Sequence, residues 1–244
     1  MQRYFAKDKK DNKIILFDSD MHHIKNVMRM KSDSLIECVW NGTLYICCVG
    51  DVLVNEFEII EQRSDNNEID CEIIVAIGLV KEQKMDLILQ KLTELGVKRI
   101  IPVKMERSIV KLDAKRTCKK LERWNSICKE ASEQSKRTYI PIVDEIKTLK
   151  ELGVYDCDFK AVCSVSNREN LVNKYLQNDI KYAKMLFVIG PEGGISAMEE
   201  ETLNKMGFVS VSLGSRVMRV ETAAIYVASI LNFCCVGWLV CLIF

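Results

Sequence analysis

Two short runs carry the residue types that chemistry needs. The first is Gly190-Pro191-Glu192-Gly193-Gly194, directly after the apolar residues 185–189. Its glycines let the backbone pass close to a ligand and adopt positive φ, and Pro191 stiffens the turn. Ser196, with Glu199 three residues on, forms a capping box that starts a helix. The run lacks the spacing of GxGxxG or GxxxxGK[ST], so it is not a phosphate loop, and its residues suit a plain strand-to-helix turn equally well. The second run is Leu213-Gly214-Ser215-Arg216-Val217-Met218-Arg219-Val220-Glu221-Thr222-Ala223, with two arginines and a glutamate after an apolar strand. Charges there cost desolvation unless they bind a ligand or pair with each other. An Arg219–Glu221 or Arg216–Glu221 pair that merely caps the last helix is therefore an alternative to catalysis.

Other chemistries are poorly supplied. His22 and His23 are the only histidines, which removes most Ser/His/Asp, Cys/His and His-rich metal mechanisms, and the pair suits a turn better than a catalytic role. Eleven cysteines occur without CxxC spacing or signal peptide, so a reducing, cytoplasmic setting is expected and no structural metal. The pairs Cys47-Cys48 and Cys234-Cys235 read as small hydrophobes. Lysine plus arginine (35) balances aspartate plus glutamate (34), so any basic surface must come from local clustering.

Two kinds of element must position these runs. Residues 1–68 contain short strand-like segments at 13–17, 35–39, 44–49 and 57–60 with an Asn41-Gly42 turn, the pattern of a small β-barrel. The polar stretch 63–68 marks a boundary, and residues 69–244 then alternate strands and helices. Strands are predicted at 71–80, 99–103, 159–164, 185–189 and 209–213. Helices are predicted from Met85 to the Gly96 cap, over 113–136, 168–177 and 198–206, and at the end of the chain. In the second helix Cys118, Leu121, Trp124, Cys128 and Ala131 form an apolar stripe, and Lys115, Arg116, Lys119 and Lys120 form its wet face. This alternation argues for α/β architecture with a mostly parallel sheet, in which ligands bind at the carboxyl ends of the strands.

The run IGPEGGIS, followed by LGSRVMRVETAA, resembles the paired signature of the SPOUT methyltransferases, and more narrowly the ribosomal RNA small-subunit methyltransferase E family. Residues 90–97 (QKLTELGV) with Pro102, Arg107-Ser108, residues 130–135 (EASEQS) with Arg137 and Pro141, and residues 22–29 (HHIKNVMR) resemble that family too, so the likeness spans residues 1 to about 230. It implies a PUA-like RNA-docking barrel over 1–68 joined to a trefoil-knotted SPOUT domain over 69–244, in a homodimer. It also implies methyl transfer from S-adenosyl-L-methionine to N3 of a uridine in small-subunit (16S) ribosomal RNA. Cofactor contacts would come from Gly190, Pro191, Glu192, Gly193, Gly194, Leu213, Gly214, Val217, Met218 and Arg219. Arg219 would stabilise charge on the base, and Glu221 or Glu192 would orient groups or accept the proton. Lys25, Arg29, Arg107 and Arg137 are candidate RNA contacts. Val220 stands where the resemblance leads one to expect threonine. Relatives acting on transfer RNA or a ribose hydroxyl, or binding RNA without catalysis, are the competing readings. Residues 223–244 carry no charge, and burial against a partner or the knot is expected of this tail rather than membrane insertion.

Overall fold

The short amino-terminal segments assemble into one curled sheet because each is too brief to hide its apolar face alone. The computed structural model describes residues 1–50, 54–64, 67–110, 114–166, 169–176 and 182–236. Strands β1 (Arg3–Phe5), β2 (Asp8–Lys10) and β3 (Lys13–Ile15) precede helix α1 (Asp18–His22), a π-helical turn at His23–Val27, and strands β4 (Leu35–Trp40), β5 (Thr43–Cys48) and β6 (Phe57–Arg63). The strand order is β1-β4-β5-β6-β3-β2, antiparallel throughout except between β1 and β4. Tyr4, Ile14, Ile24, Ile36, Cys47 and Phe57 form its core, and His23 spends its Nδ1 on the Tyr4 hydroxyl at 2.9 Å.

The second set of elements is β7 (Glu72–Gly78), α2 (Glu82–Glu94), β8 (Arg99–Lys104), α3 (Ala114–Gln134), β9 (Ile142–Val143), β10 (Lys147–Thr148), β11 (Phe159–Cys163), α4 (Asn173–Leu176), β12 (Lys184–Ile189), α5 (Ala197–Lys205), β13 (Val209–Val211) and α6 (Val220–Val236). Their strands form a seven-stranded parallel sheet in the order β10-β8-β7-β12-β11-β13, with β9 also on β8. The unbroken apolar run of β7 reflects burial on both faces. Ile73, Val75 and Ile77 pack with Met85, Trp124 and Ala224 on one side, while Ile74 and Ala76 pack with Leu152, Leu203 and Phe208 on the other.

Several expectations need correction. The chain divides into Met1–Glu68 with Lys129–Tyr139, and Ile69–Cys128 with the chain from Ile140 onward, so residues 129–139 are a segment of the first unit that lies beyond the division at 68/69. Charge explains that membership. Lys129 Nζ lies 2.6 Å from both Asp20 and Glu133, and Glu133 accepts the Phe5 backbone N–H. Arg137, expected to meet RNA, is 3% exposed and its guanidinium donates to Glu68 at 2.6 Å, so it fastens the first unit internally. Cys118 is exposed rather than part of the apolar stripe. Lys120 and Arg123 face the acids of α2, pairing with Glu82 and Asp86, and the side chains of Lys115 and Arg116 lie outside the described residues.

Cys235 is no mere hydrophobe. It forms a disulfide with Cys71, against the expectation of reduced thiols, because α6 runs back along the sheet to the start of β7. The predicted helix 168–177 is described only as α4, and residues 237–244 of the apolar tail lie outside the described residues. Among the described residues, no helix is long and apolar enough to cross a membrane.

Ile77 is fully buried and Val154 is 78% exposed. Denaturant melts should show Ile77→Ala losing about 2–5 kcal/mol through the cavity it leaves, and Val154→Ala changing by no more than about 0.5 kcal/mol.

Candidate functional site

Sheet register sets the site. Ile77 lies level with Ile189 on one side and Pro102 on the other. The loops leaving β7, β8 and β12 therefore emerge side by side at the carboxyl edge, where open α/β sheets hold ligands. The approach is close: a Cβ on Gly78 would sit 2.5 Å from Pro191 Cδ, so only glycine lets the loop fold down there. Gly194, with φ +71°, donates its N–H to Pro191 O at 2.8 Å and turns the chain into α5. The expected capping box is present, with Glu199 N–H on Ser196 Oγ (3.3 Å) and Ser196 N–H on Glu199 Oε2 (3.0 Å).

A cavity of about 520 Å³ opens at this edge, within the usual range for small-molecule sites. It is lined by residues 163–166 after β11, 189–195 after β12 and 212–220 before and into α6, with Lys84, Glu200 and Ala223. Both chemically suggestive runs thus face one space. Every residue expected to hold a cofactor lines it: 190–194, and Leu213, Gly214, Val217, Met218 and Arg219. Glu221 is set just behind the wall. Arg107 and Arg137 are not among the lining residues, and Lys25 and Arg29 are exposed in the first unit.

The electrostatics centre on a residue that sequence reading overlooked. Lys84, in the first turn of α2, places Nζ 3.2 Å from Glu192 and 3.8 Å from Glu221. It holds the start of α6 and the glycine loop to one cation. Neither Arg216 nor Arg219 makes an ion pair among the described residues, so the arginine–glutamate helix cap considered above is not formed. Arg219 is exposed at the cavity edge, where its carbonyl accepts the Ala223 N–H that starts α6. One Glu221 oxygen, Oε2, is buried without a hydrogen bond. Burial pushes the Glu192 carboxyl up, but hydrogen bonds from its own N–H, from Lys84 and from the Lys81 backbone hold it below the ordinary range. Burial pushes the Cys163 thiol up to about 12, leaving it neutral and a poor nucleophile.

Ser164 donates to Glu200 at 3.0 Å, and Ser212 Oγ accepts the Gly214 N–H at 3.3 Å. These serines, Lys84 and Glu200 were also missed. Lys84 alone had a readable signal, its place in the first helical turn after a buried strand.

Fold and cavity together define a class, an α/β RNA methyltransferase, since residues 67–232 match the family model described as an RNA methyltransferase domain. The chain is 35% identical over 247 residues to Ribosomal RNA small subunit methyltransferase E of Bacillus subtilis (strain 168), covering 96% of each. The solved structure of that enzyme from Neisseria gonorrhoeae, bound to S-adenosyl methionine, superposes with a TM-score of 0.86 at 30% identity, covering 96% of this chain and 97% of that one. A putative methyltransferase from Legionella pneumophila, also with the cofactor bound, gives 0.86 at 27% identity over 94% and 96%. The chain belongs to the ribosomal RNA small subunit methyltransferase E family.

Replacing Lys84 tests the cluster. Glu192 has its carboxyl lowered in the folded state, so its contribution to stability is present above the ordinary glutamate range and lost as pH falls through the folded value. Lys84→Met should lower stability at pH 7 by roughly 0.5–1 kcal/mol, a partly exposed pair being screened. Thermal melts across pH should show the gap from wild type closing once Glu192 is protonated, and a gap independent of pH would contradict the assignment.

Proposed function

We propose that this protein transfers a methyl group from S-adenosylmethionine to N3 of a uridine in small-subunit (16S) ribosomal RNA. The observation that carries this reading is the enclosure of one cavity by the glycine loop and the arginine-bearing loop. The cavity suits the cofactor. Its volume is sufficient, Ile189, Leu213, Met218 and Ala223 offer apolar wall, and Glu192 and Glu200 suit a cationic ligand. Residues 190–194 with Leu213, Gly214, Val217 and Met218 would hold it.

When bound, the sulfonium supplies a methyl group already activated for transfer, so the protein's work is alignment and charge control. Uridine N3 must lose its proton for methylation, so negative charge develops on the base until the methyl group arrives and neutralises it. Arg219, exposed at the cavity edge, stabilises that charge through its guanidinium. Glu192, held ionised, remains a hydrogen-bond acceptor rather than a strong base. Glu221 orients Lys84 from behind the wall, and Glu221 or Glu192 is the carboxylate to which the N3 proton would pass.

The wider reading includes a SPOUT domain with a trefoil knot, a PUA-like fold for the first unit, a homodimer and a cytoplasmic setting, where ribosomal RNA is found. Lys25 and Arg29, exposed beside the π-helical turn, supply phosphate contacts in this reading.

The test is to incubate the protein with labelled S-adenosylmethionine and small ribosomal subunits, digest the RNA and identify the product by mass spectrometry. Labelled 3-methyluridine supports the proposal; label at a ribose hydroxyl, label only in transfer RNA offered in parallel, or cofactor binding with no product overturns it. Arg219→Ala should lower kcat about 10²–10³-fold, a loss larger than any fall in cofactor affinity measured by calorimetry on the same protein. Lys25→Ala and Arg29→Ala should each weaken RNA binding and reduce the slope of log K against log salt by roughly 0.7–0.9.

A further inference from the structure

Arg107, a candidate RNA contact by its charge, lies in a turn that meets the glycine loop. Residues 105–108 form a closed turn after β8, with Ser108 N–H on Met105 O (3.1 Å) and Met105 N–H on Ser108 Oγ (3.2 Å). This turn lies against the outer side of the glycine loop. Arg107 Nη1 donates to Gly193 O at 3.0 Å. A Cβ on Gly193 would stand 2.7 Å from Arg107 Cβ and 3.2 Å from Arg107 O, so backbone packs on backbone and no side chain fits between. One residue earlier, Glu106 N–H donates at 2.7 Å to Glu199 Oε1, while Glu199 Oε2 holds the Ser196 N–H at the start of α5. Adjacent residues of the turn thus grip the loop at Gly193 and the helix that ends it.

We infer that residues 105–108 brace the cofactor loop, with Arg107 as a positioning residue that sets the shape of residues 190–194 for S-adenosylmethionine. The inference rests on the proposal that the cavity takes this cofactor. A loop built from Gly190, Gly193 and Gly194 has little rigidity of its own, because glycine loses more backbone freedom on ordering than any other residue. Pro191 and the Gly194 N–H on Pro191 O order one turn of it, and the rest of its order must come from outside the loop. A charge-assisted bond to the Gly193 carbonyl is stronger than a neutral one, and it acts on the peptide beside Gly194, whose positive φ turns the loop. Arg107 is also exposed, the usual reason to assign an arginine to phosphate. The contacts at Gly193 and Glu199 are what point elsewhere.

Calorimetric titration of S-adenosylmethionine into wild type, Arg107→Ala and Gly193→Ala separates the two roles. Binding of a small-subunit ribosomal RNA fragment at several salt concentrations, and thermal melts, are measured on the same proteins. Arg107→Ala is expected to weaken cofactor binding about tenfold, the loss of one charged hydrogen bond. RNA affinity should stay within about twofold, with an unchanged salt slope. Gly193→Ala, which removes no charge, should weaken the cofactor by a similar factor. Cofactor affinity equal to wild type in both variants overturns the inference. So does an Arg107→Ala protein that binds cofactor normally but loses RNA affinity with a salt slope smaller by about one, for then the residue is a phosphate contact. A wild-type protein that gives no cofactor binding overturns the proposed function as well, whereas binding by wild type with unaffected variants refutes the brace alone.

Discussion

The pairing of β7 with β8 and β12 is the constraint on which the second unit depends. Ile73, Ile74, Val75, Ala76 and Ile77 are fully buried in two different cores, so a slip of one residue would exchange their faces, mismatch the packing of both cores and break two ladders at once. With that register fixed, β7, β8 and β12 end nearly level, at Gly78, Lys104 and Ile189. The loops that follow have no choice but to be neighbours. Residues 190–194, the turn 105–108 and the first turn of α2 meet at one edge because the sheet delivers them there.

What the sheet delivers, small residues and ion pairs then shape. Gly78 admits Pro191 and Gly193 admits Arg107, each at distances no Cβ would allow. Lys84 ties Glu192 of one cavity loop to Glu221 of the other. Individually such contacts are worth little at a protein surface. Their value lies in position, since a methyl transfer depends on holding donor and acceptor in line within fractions of an ångström. The opposite end of β7 is fastened differently, by the Cys71–Cys235 bond to the last turn of α6, away from the cavity.

Much of this was legible in the residues. Continuous apolar runs bounded by glycine or polar turns marked β7, β8, β11 and β12, and the Met85, Ile88, Leu89 and Leu92 spacing marked α2. The cavity was foreseeable from two loops after buried strands. Contacts between residues far apart in sequence were not. Residues 129–134 are the last turns of α3 and 135–139 follow it directly, yet Lys129, Glu133 and Arg137 belong to the first unit through Asp20, Phe5 and Glu68. Arg107 and Arg137 looked alike as cations, and only geometry separates a loop brace from a buried ion pair. Lys84 was marked only by its place in the first helical turn after a buried strand, and two-residue strands such as β9 and β10 are too short to show a period.

On the proposed function, the glycine loop and the arginine-bearing loop together form the cofactor site. A crystal structure with S-adenosylhomocysteine, the product of the reaction, tests it most directly. The ligand should lie between residues 190–194 and 213–218, contacting backbone groups of both loops, with Arg219 bordering the open side toward substrate. Ligand density elsewhere on the molecule, or contacts confined to one loop with the other turned away, would contradict the account.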